Sequence, residues 1–225
     1  IDGIITGSEW SDASVAQSIL NFSVGTDPGA SDISGSVSLK WDSTNLYVLF
    51  QVTDDARSLD SSDNDPTDLN SFEDDTVEVY LDMNHTGTGA LSTALKRYQY
   101  RFGLENSELE TAELTNPTTN FAFAHTGATS YVMEIEMPWT TLGLTPTIGA
   151  TLGFDAAIND DDDGGSRDNQ LFWNATMESA FNDASQWGDI QLTAAIPEPS
   201  TVSFIFGLTG LVFWIVVKKR KRADS

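Results

Sequence analysis

Glu78 and Tyr80 are the first residues whose types and spacing suggest chemistry. They alternate with Val77, Val79 and Leu81 in the run from Thr76 to Asp82, and alternate side chains of an extended strand leave on opposite faces. The apolar three turn into a core, while Glu78, Tyr80 and Asp82 turn away from it. A carboxylate beside a phenol on an open sheet face suits a polar, hydroxyl-rich ligand better than it suits packing. Two acidic loops offer different chemistry. The stretch from Asp54 to Asp75 carries nine carboxylates against one Arg, Arg57. Carboxylates so crowded either raise one another's pKa or gather a cation. Ca²⁺ is the natural choice, because it takes roughly six to eight oxygen ligands, backbone carbonyls and water included. Asp54, Asp55, Asp74 and Asp75 are its candidate ligands there.

The second acidic loop runs Asn159-Asp160-Asp161-Asp162-Asp163-Gly164-Gly165. It fits the helix-loop-helix calcium pattern at Asn159, Asp161, Asp163 and Gly164. The twelfth position is Gln170, which cannot supply the bidentate carboxylate, and no helices flank the loop. The loop is therefore not that motif. A Ca²⁺ held between strands, with Asp155, Asn159, Asp161 and Asp163 as donors, stands beside the alternative of a solvated acidic surface.

Hydrolysis of a glycoside would need two carboxyl groups about 5–10 Å apart across a bound sugar, one with a raised pKa. Glu134 and Glu136 share a strand face, but carboxylates two residues apart more often face solvent. His85 and His125 are isolated. Neither a nucleophile elbow nor a phosphate-cradling glycine loop is present. The expectation is a protein that binds rather than turns over.

Composition narrows the partners. The chain has no cysteine, so disulfides, thiolate metal sites and thiol nucleophiles are excluded. Its 225 residues carry a formal charge of −23. Five of the eleven basic residues sit together at Lys218, Lys219, Arg220, Lys221 and Arg222. Ahead of Ile196, six basic side chains face thirty-two carboxylates, a charge of −26. Such a body is repelled by nucleic acid and by anionic membrane surfaces, whereas neutral polysaccharide and Ca²⁺ suit it. The sequence opens on Ile1, without an initiator Met or a leader-like segment. Either a signal peptide has been removed or the sequence is a fragment.

The elements that must position these residues read as strands. Val37, Leu39 and Trp41 alternate with polar neighbours. Leu46 to Val52 is nearly unbroken apolar, as in a strand buried on both faces. Thr76–Asp82, Tyr98–Phe102, Asn120–His125, Tyr131–Met137, Leu152–Asn159, Leu171–Asn174 and Gly188–Thr193 follow, with Thr126–Thr129 as a hairpin connection. Ser14 to Asp32 reads as loop. Pro138 to Gly143 reads as a single helical turn plugging one end. The whole predicts an all-β, antiparallel, jelly-roll-like β-sandwich over residues 1–195.

Residues 196–225 change character. Ile196-Pro197-Glu198-Pro199 is a stiff linker, and Ser200 to Val217 contains no charged residue. That is about the minimum of ~18 residues for a spanning helix. A buried core helix is the alternative, which the abutting basic cluster argues against. The cluster stays cytoplasmic and puts the acidic body on the far side of a membrane.

Across about 190 residues the body resembles carbohydrate-binding module family 9, the modules attached to many xylanases. The resemblance is carried by Ile1-Asp2-Gly3 with Glu9-Trp10, by Trp41-Asp42 with Leu46-Tyr47-Val48, and by Asp54-Asp55. It continues in Asp74-Asp75 with Val77-Glu78-Val79-Tyr80-Leu81-Asp82, in Glu134 to Gly143, in Gly153-Phe154-Asp155, in Ile158-Asn159-Asp160, and in Trp187-Gly188 with Ile190 and Leu192. It implies a sandwich that grips sugar between two aromatic rings and holds structural Ca²⁺. The first ring falls at Phe72, where better-known members carry Trp, and Trp173 is the candidate for the second. Glu78, Arg101 and Asn169 would bond the sugar hydroxyls, with Tyr80 on the same face. The tail resembles the PEP-CTERM sorting signal through Pro197, Glu198 and Pro199, the apolar run and the basic cluster. That implies an exosortase-type membrane protease as partner, and export to the cell surface or extracellular matrix of a Gram-negative bacterium.

Three functions follow in order: a non-catalytic, envelope-anchored binder of polysaccharide or oligosaccharide; a structural surface or matrix protein that keeps the fold without sugar; and a glycoside hydrolase accessory fragment.

Overall fold

The structure is a computed structural model that describes residues 1–56, 58, 71–87, 95–101, 109–111 and 120–193, with 71, 95–101 and 109–111 as backbone. Two antiparallel sheets form its body. The first contains β1 (Gln17–Ile19), β3 (Ile33–Trp41), β4 (Asn45–Asp54), β8 (Asn120–His125) and β9 (Ser130–Pro138), in the order β1-β3-β4-β9-β8. The second contains β2 (Asn21–Val24), β5 (Thr76–Asp82), β6 (Leu95–Arg101), β7 (Leu109–Thr111), β10 (Thr151–Asp160) and β11 (Asn169–Phe172), in the order β2-β11-β10-β5-β6-β7. A last strand, β12 (Gly188–Gln191), pairs with the first half of β10, where Leu152 faces Ile190.

Strand alternation explains why the sheets face each other. Val48, Phe50 and Val52 of β4, Met133, Ile135 and Met137 of β9, Val77, Val79 and Leu81 of β5, and Phe154, Ala156 and Ile158 of β10 meet in one continuous core. The expected helical turn is α1 (Trp139–Leu142), capped by Gly143 in the left-handed conformation, with Trp139 buried against Trp41 at 6.3 Å between ring centroids. The expected sandwich and plug are thus both present.

Two parts differ from expectation. Ser14–Asp32 reads as loop in the sequence, yet it contributes the edge strands β1 and β2. They have three and four residues and a largely polar surface, so their sequence carries no alternation, and pairing with β3 and β11 defines them. The second difference is the amino-terminal segment, which crosses the outer face of the first sheet. The Glu134 carboxylate accepts the backbone N–H groups of Asp2 (2.9 Å) and Gly3 (2.8 Å) and the Trp10 indole N–H (2.6 Å). Burial raises the Glu134 pKa, but these donors outweigh it and hold the group below its ordinary value. Gly3 has φ 79°, and a Cβ there would lie 2.8 Å from the Phe123 carbonyl carbon, so only glycine lets the strap lie this close.

Residues 194–225, with Pro197, Glu198, Pro199 and the expected spanning helix, lie outside the described residues. Among the described residues no helix is long and apolar enough to cross a membrane.

Candidate functional site

Over β5, β10 and β11 the outer face of the second sheet is not open. Every residue of β5 is buried, and above Tyr80 the segment after β11 folds back over the strand in two 3₁₀ turns, Glu178–Asn182 and Ala184–Gln186. The Asp155 carboxylate fixes the start of this cover by accepting the backbone N–H groups of Asn174 (3.1 Å) and Ala175 (2.9 Å). Trp187 fixes its end by donating its indole N–H to the Ala180 carbonyl at 2.8 Å. Tyr80 lies beneath, its ring 5.6 Å from Phe172 and 5.4 Å from Trp187, in a small cluster with Ala157, Ala175, Ala180 and Ala184. The expectation that Tyr80 presents itself to a ligand is therefore corrected: it is wholly buried and packs the cover onto the sheet.

Where the cover ends, a cavity of about 180 Å³ remains, lined by Phe72, Glu78, Arg167, Gln170, Glu178 and Phe181. Phe72 comes from the 3₁₀ turn Ser71–Glu73 just ahead of β5, and Phe181 from the first turn of the cover. Glu78 lies on the floor, 1% exposed. Asn159, its neighbour on β10, donates to Glu78 Oε1 (3.1 Å) and to Thr76 Oγ1 (2.7 Å). The Asn159 carbonyl in turn accepts from Arg167 Nη1 at 2.9 Å. Arg167 Nη2 donates to Glu178 Oε1 at 2.9 Å, and its guanidinium carbon stands 5.3 Å from the centre of the Phe72 ring. One buried arginine thus joins the Phe72 wall to the turn that carries Phe181. Burial lowers its pKa, opposed by Glu78 and Glu178, and a guanidinium in that setting stays charged.

Several expected site residues fall elsewhere. Asn169 points away from the cavity and donates to Asp160 Oδ2 at 3.0 Å; Gln170, one residue on and on the other face of β11, takes its place. Trp173 is not the second ring. It packs against Phe154 at 5.7 Å and over Gly188, where a Cβ would lie 2.6 Å from the indole. It lines a separate cavity of about 330 Å³ with Trp41, Leu39 and Ile190 at the sandwich edge. The phase of the strand decides this: Phe172 and Trp173 leave on opposite faces, so only one can reach the outer side. Arg101 aligns with Thr76 across β5 and β6, and its side chain lies outside the described residues. Arg167, Glu178 and Phe181 were missed. Phe181 sits in a segment without periodicity, and its only signal was a lone aromatic among polar residues.

The acidic residues gather at one end of β10, in three groups whose ligand atoms lie within 4.8 Å of one another: Asp54 with Asp75 and Asp160, Asp32 with Asp160 and Asp162, and Asp161 with Asp163 and Asp168. Of the expected ligands, Asp54 and Asp75 fall in one group and Asp161 and Asp163 in another; Asp32, Asp160, Asp162 and Asp168 were missed. Asp55 and Asp74 join none of these groups. Asp155 is corrected from metal ligand to cover anchor, since it joins none of these groups and its oxygens accept three backbone N–H groups, and Asn159 is corrected to a residue of the cavity. Burial, with the nearby Asp54 charge, pushes the Asp75 pKa up to about 8. Burial, with Asp162, Asp32 and Asp168, pushes Asp160 up to about 7. Buried oxygens of Asp160 (Oδ1) and Asp161 (Oδ2) have no hydrogen-bond partner, an arrangement that costs free energy unless a cation or proton answers it. The donor set is all oxygen, as a hard cation requires.

A two-sheet module with a partly open, aromatic-walled pocket floored by a carboxylate has the form of a carbohydrate-binding domain. The chain belongs to the family described as carbohydrate family 9 binding domain-like, whose model matches residues 1–195. It is 29% identical over 165 residues to endo-1,4-beta-xylanase A of Thermoanaerobacterium saccharolyticum, covering 73% of this chain and 13% of that protein. It is equally identical over the same length to exoglucanase XynX of Acetivibrio thermocellus, of which it covers 14%. The chain therefore spans only a small part of these relatives. Among solved structures, a family 9 carbohydrate-binding module from Caldicellulosiruptor kristjanssonii in complex with cellotriose superposes with a TM-score of 0.70. Identity is 21%, over 88% of this chain and 93% of that one. That likeness is one of fold.

Proposed function

We propose that the cavity between Phe72 and Phe181 binds one ring of a neutral saccharide, and that the domain acts by binding and not by hydrolysis. The observation that carries this reading is the linked constellation Phe72–Arg167–Glu178–Phe181 over a buried Glu78. Two phenyl faces suit the C–H faces of a pyranose, Glu78 offers acceptors, and Gln170 and Arg167 offer donors to hydroxyls. At about 180 Å³ the cavity is below the roughly 300–1,000 Å³ of ordinary ligand pockets, so it encloses one sugar unit and leaves the rest of an oligosaccharide outside. The ligands of the neighbouring structures, cellotriose and glucose, and the xylanase setting of the relatives make gluco- and xylo-oligosaccharides the first to test. Calorimetric titration of the whole chain with cello- and xylo-oligosaccharides is the test. Heat that vanishes in Glu78→Gln and Phe72→Ala supports the reading, while silence with every sugar leaves a structural scaffold. Release of reducing ends from those oligosaccharides would overturn the non-catalytic reading.

The acidic groups fit a structural Ca²⁺, with Asp54, Asp75 and Asp160 as the inner ligands and Asp161, Asp163 and Asp168 as an outer set. The cation supplies the positive charge that lets these buried carboxylates ionise together. The tail is read as a sorting signal and membrane anchor that an exosortase-type protease processes, with the acidic body outside the cytoplasm. Its support is the order Pro197-Glu198-Pro199, uncharged run and basic cluster. Membrane fractionation of the chain with and without residues 196–225 tests it, and an equal distribution of both would sink the anchor.

A further inference from the structure

The saccharide cavity and the acidic end of the sandwich share one loop. Residues 161–168 join β10 to β11, and their acidic side chains face one way while Arg167 faces the other. On the acidic side, the Asp161 carboxylate gathers the N–H groups of Asp163 (3.2 Å) and Gly164 (3.1 Å), and the Asp162 N–H donates to Asp168 Oδ2 (3.1 Å). The loop closes where the Asp168 N–H meets the Asp160 carbonyl at 2.8 Å. Asp75 holds the near end through the Asp161 N–H at 2.9 Å. On the other side Arg167 makes its two bonds, to Asn159 and to Glu178, and Asn159 bonds Glu78. Carboxylates at positions 160, 161, 162, 163 and 168 repel one another across this short loop. The buried, unpartnered oxygens of Asp160 and Asp161 are a second, independent sign that a cation is required to hold it closed.

We propose that a divalent cation on the acidic side of the 161–168 loop fixes Arg167 over the Phe72 ring, so that cation occupancy sets saccharide affinity. This rests on the saccharide reading of the cavity. Binding linkage is reciprocal, so the saccharide raises cation affinity by the same factor as the cation raises saccharide affinity, a factor of roughly 5–150 in typical couplings. The double variant Asp163→Asn/Asp168→Asn changes two exposed residues outside the cavity and leaves every residue of the cavity wall in place. Three measurements are made on the whole chain in Ca²⁺ and in EGTA: Ca²⁺ binding by calorimetry, oligosaccharide Kd, and the Arg167 Nε–H resonance, assigned from its loss in Arg167→Lys. The expected result is a weaker Kd in EGTA, the same weakening in the double variant with Ca²⁺ present, and an Arg167 signal that broadens or exchanges faster without Ca²⁺. Demonstrated Ca²⁺ binding with equal Kd in both buffers overturns the coupling and leaves the saccharide reading intact. No saccharide binding in either buffer overturns the saccharide reading and the coupling with it. In that case the Arg167 signal still reports whether the cation orders the loop.

Discussion

Phe181→Ala is the perturbation that separates the observed cavity from the one expected around Trp173. A phenylalanine offers about 200 Å² of surface, and Phe181 is 43% exposed, which leaves about 85 Å² of it outside the fold. A sugar seated in the cavity covers about half of that, and ~40 Å² at ~25 cal/mol per Å² amounts to about 1 kcal/mol. Truncation should therefore weaken Kd about fivefold. It should cost only about 1–2 kcal/mol of stability, below the ~3–5 kcal/mol of a fully buried Phe→Ala change. Trp173→Ala should do the reverse. It removes a half-buried ring packed on Phe154, costing about 2–4 kcal/mol, and leaves Kd unchanged. Calorimetry gives the Kd values and urea unfolding the stabilities. If Trp173→Ala abolishes binding in protein shown to be folded while Phe181→Ala does not, the assignment of the cavity is wrong.

Three further outcomes are expected. Phe72→Trp enlarges the ring under the Arg167 guanidinium and should tighten saccharide Kd by about two- to fivefold through added stacking area; an unchanged Kd would mean that Phe72 touches no ligand. Glu134→Ala strands three donors and should cost about 3 kcal/mol. Amide exchange should quicken over residues 1–10, and Kd should stay constant because the strap lies on the other sheet. Burial holds the Asp155 pKa up to about 6, above the ~4 of the unfolded chain. The folded state then binds more protons across that interval, so this contribution is complete below pH ~4 and lost as pH rises through ~6. Wild type should lose up to about 3 kcal/mol relative to Asp155→Asn between those pH values. Parallel stability curves for the two proteins would show that Asp155 is not the titrating group.

The sandwich was legible because its strands alternate cleanly. Val77, Val79 and Leu81, or Phe154, Ala156 and Ile158, can satisfy only a sheet with one apolar face. Glu78 was placed on the outer face by the same alternation, whereas Phe72, in a 3₁₀ turn ahead of the strand, was picked out only through the family resemblance. The reading failed where structure depends on what covers a face. Tyr80 has the same phase as Glu78, yet a segment a hundred residues later closes over it, and no local signal distinguishes a covered face from an open one. The cover itself is built from Ala175, Ala180 and Ala184, small residues chosen for fit against Tyr80, with neither helical nor strand period. The acidic loops were legible as clusters, but which carboxylates meet depends on the pairing of β5 with β10, which sets Asp75 near Asp160 and leaves Asp155 in mid-strand opposite Tyr80.

That pairing also explains how one strand pair borders both the cavity and the acidic cluster without mixing them. Successive outward positions on β10 are Asp155, Ala157 and Asn159, and opposite them on β5 lie Tyr80, Glu78 and Thr76. Asp155 and Tyr80 hold the cover, Glu78 and Asn159 floor the cavity, and the chain beyond Asn159 turns into the acidic loop. Each function begins where the previous one stops. Asn159 stands at the boundary, with its amide on Glu78 and its carbonyl on Arg167. Asp in its place would set a second carboxylate against Glu78 and lose the donor to it, while keeping the acceptor for Arg167. A neutral amide is the side chain of that size that can donate to a carboxylate and accept from a guanidinium at once.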